Sequence, residues 1–202
     1  MMRQFVSFLM LLALVSMVTT LEAQAVTRLR GGMAHENSSG GMTAARSTAL
    51  RGPVGGGFAR GGGLKTDGQG NVQGGSAQAV KGPNGAMGMR AGRFSRTSDG
   101  SLTHASGGTV SGASGTASSV GQFTKNANGT LSGTRTSQAH GVNGGSYKGT
   151  TSYSSGSGVN HQSQAQNANG GTYSGSSSYS KASGFSHTGT CTNANGETVP
   201  CK

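Results

Sequence analysis

Arg28, Arg30, Arg46, Arg51, Arg60 and Lys65 stand close together in the chain, with Glu36 the one carboxylate among them. Guanidinium and ammonium groups at that density attract anions, and arginine adds a planar fork that grips phosphate, sulfate or carboxylate through two hydrogen bonds. The charge is lopsided. Residues 26–97 carry ten Lys/Arg against Glu36 and Asp67, or +8, whereas residues 98–202 carry five against Asp99 and Glu197, or +3. The expected partners are therefore anionic: acidic polysaccharide, outer-leaflet lipid head groups or extracellular DNA.

Other residue types offer less chemistry. His161 and His187 are 26 residues apart and occupy equivalent positions of a repeat, but no carboxylate or third ligand accompanies them. Catalytic zinc sites show three protein ligands, so both histidines read as polar residues of half-exposed strands, and no metal or cofactor is expected. Beyond residue 25 the four carboxylates Glu36, Asp67, Asp99 and Glu197 are well separated and suggest no acid–base pair. Glycine-rich stretches such as 55–63 lack the strand, helix and Lys-Ser/Thr of a phosphate loop. The chain reads as a non-enzyme. Cys191 and Cys201 flank a turn signal and are expected to form a disulfide.

The elements that place these residues are read from a repeat. A 26-residue unit starts at Asn143-Gly144-Gly145-Ser146-Tyr147, again at Asn169-Gly170-Gly171-Thr172-Tyr173, and a truncated third copy begins at Asn195-Gly196. A fixed period is the mark of a repeat architecture. Asn-Ala-Asn-Gly recurs at 126–129, 167–170 and 193–196, and Asn-Gly is a hairpin signal, expected here as type I′ turns with positive φ at both central residues. Between turns the residues alternate. Tyr147, Gly149, Thr151 and Tyr153 fall on one face of a strand and Ser146, Lys148, Thr150 and Ser152 on the other. Cys191 and Cys201 fall on the tyrosine face, so the disulfide staples the last hairpin.

Upstream the pattern weakens. Asp67-Gly68, Asn84-Gly85, Asp99-Gly100 and Asn128-Gly129 are turn signals at irregular spacing, and they extend the β array back to residue 66 as a degenerate region, 66–142, ahead of the regular repeats of 143–202. Residues 26–65 carry repeated glycine pairs and no apolar period, and read as a disordered basic arm. Residues 1–25 read as a signal peptide: Arg3, an apolar run from Phe5 to Val18, and Ala23-Gln24-Ala25 as the cleavage site. No later segment is apolar enough for a spanning helix. The expected fold is all-β, a repetitive β-hairpin meander or solenoid with a disordered, basic, glycine-rich N-terminal arm. The 39 glycines and the absence of tryptophan leave a thin core at most.

The signal peptide, basic glycine-rich lead and Asn-Gly-punctuated Ser/Thr/Tyr repeats together resemble the uncharacterised secreted Gly/Ser-rich repeat proteins of bacteria. The resemblance covers 66–202 and implies export without implying an activity. The function expected is that of a secreted or cell-surface protein, periplasmic in a Gram-negative source, that binds anionic polymers or surfaces through its basic arm. A self-assembling, amyloid-like fibre subunit is the first alternative. A small secreted enzyme or inhibitor built on the disulfide hairpin is the second.

Overall fold

Glycines with positive φ set the rhythm of the chain. In the computed structural model, which describes residues 27–201, Gly40, Gly55, Gly70, Gly85, Gly100 and Gly115 follow at fifteen-residue intervals with φ between 71° and 135°. Gly129, Gly144, Gly158, Gly170, Gly184 and Gly196 continue the series at intervals of twelve to fifteen. Each sits at a turn between antiparallel strands, where a left-handed residue is needed and glycine has no Cβ to oppose it. The 26-residue repeat is thus one long and one short strand-plus-turn, as from Gly144 to Gly158 to Gly170.

The turns differ from the type I′ geometry expected. No residue other than glycine has positive φ among those described, so Asn128, Asn169 and Asn195 keep ordinary backbone angles. Instead the glycine N–H donates to the carbonyl three residues back: Gly129 to Asn126 at 2.9 Å, Gly170 to Asn167 at 3.1 Å and Gly196 to Asn193 at 3.1 Å. One left-handed residue after a three-residue turn is the glycine-bulge form of the hairpin. At 126–129 the second asparagine braces the turn, Asn128 Oδ1 accepting from the Thr130 N–H, whereas in the other two the first asparagine does so. Asn167 Oδ1 accepts from the N–H groups of Asn169 and Gly171, and Asn193 Oδ1 from those of Asn195 and Glu197.

Asp67 does the same for its turn. Its carboxylate accepts from the side chain of Asn71 and from the N–H groups of Gln69 and Asn71. The Asn71 side chain, and after it the Gln69 N–H, hold the carboxyl below its ordinary range. A depressed folded pKa contributes stability that is present above the unfolded value and is lost as pH falls through the folded one. The amide resonances of Gln69 and Asn71 are therefore expected to titrate with Asp67, with a midpoint below that of a free aspartate. Asp67→Asn abolishes the titration.

Between these turns lie thirteen strands and no helix among the described residues. The chain divides into two units between Ser98 and Asp99. In the first, β1 (Thr27–Glu36), β2 (Met42–Arg51), β3 (Gly57–Thr66), β4 (Val72–Lys81) and β5 (Met87–Arg96) pair in chain order, each antiparallel to the next. In the second, β6 (Leu102–Gly112), β7 (Gly115–Lys125), β8 (Leu131–Gly141), β9 (Ser146–Ser154), β10 (Gly158–Gln166), β11 (Thr172–Ser180), β12 (Gly184–Thr192) and the two-residue β13 (Thr198–Val199) do likewise. The all-β hairpin meander is as expected, and its antiparallel pairing in chain order excludes the solenoid.

The disordered arm is corrected. Residues 27–65 form β1, β2 and most of β3. Asn37-Ser38-Ser39-Gly40 and Gly52-Pro53-Val54-Gly55 are turns, and glycines that look like linker lie inside strands that pair residue by residue with a neighbouring strand. Asn37 Nδ2 also donates to the Thr66 carbonyl at 2.8 Å, tying the first turn to the third strand. The signal peptide expected over 1–25 lies outside the described residues.

A core hardly exists. Ala59 is the one buried apolar side chain among the described residues. Stability must come from the ladders and from side chains that cover their own sheet. In the second unit Tyr147 lies over Gly149, and Tyr173 lies over Gly175 and Gly189. A Cβ at any of these glycines would displace the ring, so glycine here makes room for a tyrosine laid along the sheet.

Candidate anion-binding face

Direct partners in an antiparallel ladder share a face, so the register of the first unit sorts its cations. Arg30, Thr48, Arg60, Gln78 and Arg90 form one row across β1–β5. The adjoining row is Gly32, Arg46, Gly62, Ser76 and Gly92. Four arginines thus occupy the middle of one face. Arg30, Arg60 and Arg90 sit on alternate strands, about 9–10 Å apart at two strand spacings. Arg28 and Arg96 lie on the same face toward its two ends, and all six side chains are exposed. Glu36 is the one carboxylate on this face.

The residues around the arginines are uncharged. Thr48 and Gln78 separate Arg30, Arg60 and Arg90 in their own row, and Gly32, Gly62, Ser76 and Gly92 flank them in the next, so the exposed guanidinium groups are open to a ligand laid across the strands. Phe58, two residues before Arg60 on the same face, braces it with the guanidinium carbon 6.0 Å from the ring centroid. Phe94 lies over Gly74 on this face and covers the sheet there.

The opposite face is built differently. Its middle rows are Leu29, Ala49, Ala59, Ala79 and Met89, then Gly31, Ser47, Gly61, Ala77 and Ala91. They carry no charge. Arg51 and Lys81 sit in its end row beside Gly57, Lys65 in the row at the other end, and Arg93 between. Of the six cations singled out in the sequence, Arg28, Arg30, Arg46 and Arg60 are therefore brought together, whereas Arg51 and Lys65 are placed on the other side.

Arg90 and Arg96 join the face without having been singled out. The signal for Arg90 is its spacing: Arg30, Arg60 and Arg90 are 30 residues apart, two fifteen-residue hairpin steps, which returns a residue to the same row of a parallel-running strand. That spacing has meaning only once 27–65 is read as strands.

In the second unit His161 and His187 share one face and one row with Thr151 and Ser177. Their Nδ1 atoms lie 2.8 Å from Thr151 Oγ1 and Ser177 Oγ, respectively. Each imidazole is thus engaged by a neighbouring hydroxyl as a cross-strand pair. A recess of about 530 Å³ lies over β9–β12, lined by Lys148, Thr150, Gln162, Gln164, Ser176 and Thr188 among others. Its hydroxyls and carboxamides can hydrogen-bond but hold no acid–base pair.

Cys191 and Cys201 form the expected disulfide, with Cα atoms 5.4 Å apart. Cys191 pairs with Val199 and with Tyr173, so the bridge lies on the tyrosine face and holds the two-residue β13 against β12. A structural disulfide of this kind points to an oxidising compartment. Reduction is expected to release β13. The closed loop is short, so the stabilisation removed is about 2–3 kcal/mol on a chain-entropy basis, confined to the last hairpin. Amide exchange at Thr198 and Val199 rising to the free-peptide rate on reduction, with β6–β9 unchanged, is the expected result.

No helix among the described residues is long and apolar enough to cross a membrane. No protein-family model, curated protein or solved structure matches this chain.

Proposed function

We propose that this chain is an exported, non-enzymatic protein of the cell surface or extracellular matrix that holds a linear polyanion on the arginine face of its first unit. The observation that carries the reading is the alignment of Arg30, Arg60 and Arg90 in one row with Arg46 in the next, all exposed. Rows of cations on a regular pitch suit a ligand whose charges also repeat. Two aromatic residues, Phe58 and Phe94, lie on this face in different rows, too sparse a platform for successive stacked bases. The face therefore favours an acidic polysaccharide over single-stranded DNA. The disulfide is consistent with export.

The test is a binding titration over a range of salt with three probes: a sulfated polysaccharide, single-stranded DNA and vesicles with anionic head groups. Tightest binding to the polysaccharide, weakening as salt rises, supports the proposal. Preference for DNA or vesicles redirects the partner. No salt-dependent binding to any of the three overturns it.

A further inference from the structure

Strand β1 presents an edge that matches itself. Among the described residues β1 pairs with β2 on one side and meets no strand on the other, and all ten of its residues are exposed. An edge strand of this length is a template for another strand unless it is blunted by proline, charged side chains, a bulge or shortness. β1 contains no proline, it is ten residues long, and it pairs with β2 without interruption from Thr27–Arg51 to Glu36–Met42. Its charges are of both signs, Arg28 and Arg30 against Glu36, so they repel a second strand only in some registers.

We propose that two copies of this chain join through β1, antiparallel, about a two-fold axis at Gly32. The charges select the register. With Gly32 opposite Gly32 of the second copy, Arg28 falls opposite Glu36 of the second copy, and Glu36 opposite its Arg28. Leu29 then meets His35, Arg30 meets Ala34 and Gly31 meets Met33. Nine residues from each copy pair, and each carboxylate finds an arginine. Shifting the register so that Gly31 faces Gly31 leaves Arg28 opposite Ala34 and puts Glu36 beyond Thr27 of the second copy. The match is isologous, so the assembly closes at two copies. A two-fold axis normal to the sheet also keeps each face on its own side. The arginine-bearing faces of the two copies therefore lie together, giving a polyanion a longer track.

This inference stands on the edge of β1 and does not rest on anion binding. The test uses the full chain, expressed with its own leader and purified in the form the cell yields, in sedimentation velocity over a concentration series. The wild type is expected to sediment as monomer and dimer in mass-action balance. Arg28→Glu places carboxylates opposite carboxylates at both ends, and Glu36→Arg places guanidinium opposite guanidinium. Like charges directly opposite repel, so each variant alone is expected to raise the dimer Kd by about tenfold or more. An equimolar mixture of the two restores opposite charges at both ends and is expected to give a heterodimer near wild-type affinity. A far-UV spectrum unchanged by either substitution shows that the strands remain formed. A wild type that stays monomeric, species that grow beyond the dimer with concentration, or a mixture that fails to associate overturns the proposal. A chain that dimerises but binds no polyanion keeps this inference and removes the proposed function.

Discussion

Replacing Arg30, Arg60 and Arg90 together by alanine lowers affinity for a sulfated polysaccharide by about a hundredfold at physiological salt, taking roughly 1 kcal/mol for each cation held near an anionic surface. The slope of log K against log salt becomes shallower by about two to three, because three fewer counterions are released on binding. The matching control is Lys65, Lys81 and Arg93 to alanine. It removes the same charge from the same unit, but from the opposite face. Long-range attraction falls equally in the two variants, so the difference between them isolates the row. The control is expected to weaken binding by about threefold at most, since exposed charges beyond a Debye length are screened. Equal losses in both variants would reduce the face to simple net charge.

The second large effect is on the fold. Gly158→Ala is expected to cost roughly 2–4 kcal/mol and to melt the β10–β11 pairing. Gly158 has φ of 80°, and a Cβ built there falls on the carbonyl oxygen of Tyr179. Backbone cannot swing aside as a long side chain does. Gly184 supplies the comparison. Its φ is 69°, but a Cβ there meets nothing within 4 Å, so Gly184→Ala incurs only the backbone cost of about 1 kcal/mol. Thermal melts of the two variants, with amide exchange across 158–180, separate strain from collision.

The periodic half of the chain was legible because its pattern is local. Tyr147, Gly149, Thr151 and Tyr153 alternate with polar residues, and period-two alternation leaves little choice of face. The disulfide followed from that register, since Cys191 and Val199 had to point the same way. Two things escaped. The turn type did, because Asn-Gly fits both the mirror turn and the glycine-bulge turn; the Asn167 and Asn193 side chains that support the observed form sit two residues earlier. The first three strands did as well. Their turns, Asn37–Gly40 and Gly52–Gly55, lack the Asn-Gly pair, and glycine pairs such as Gly61-Gly62 have no side chain to show an alternation.

The candidate site shares that history. Four of its arginines were conspicuous as charge, yet charge in one dimension does not say which side of a sheet it faces. Arg51 and Lys65 sit among the others in sequence and opposite to them in space, because each lies an odd number of positions from its neighbour's row. Arg90 is far in sequence and joins the face through two hairpin steps. The interior gave no help, since among the described residues Ala59 is the one buried apolar side chain and no large apolar cluster announces the inner face of a strand.

The most direct measurement is a footprint of the arginines. The full chain is treated with an arginine-specific reagent, with and without a saturating sulfated polysaccharide, and the modified residues are located by mass spectrometry. Selective protection of Arg30, Arg46, Arg60 and Arg90, with Arg51 and Arg93 reacting as before, is the predicted result. Equal protection of all six, or of none, would contradict a polyanion held on one face of the first unit.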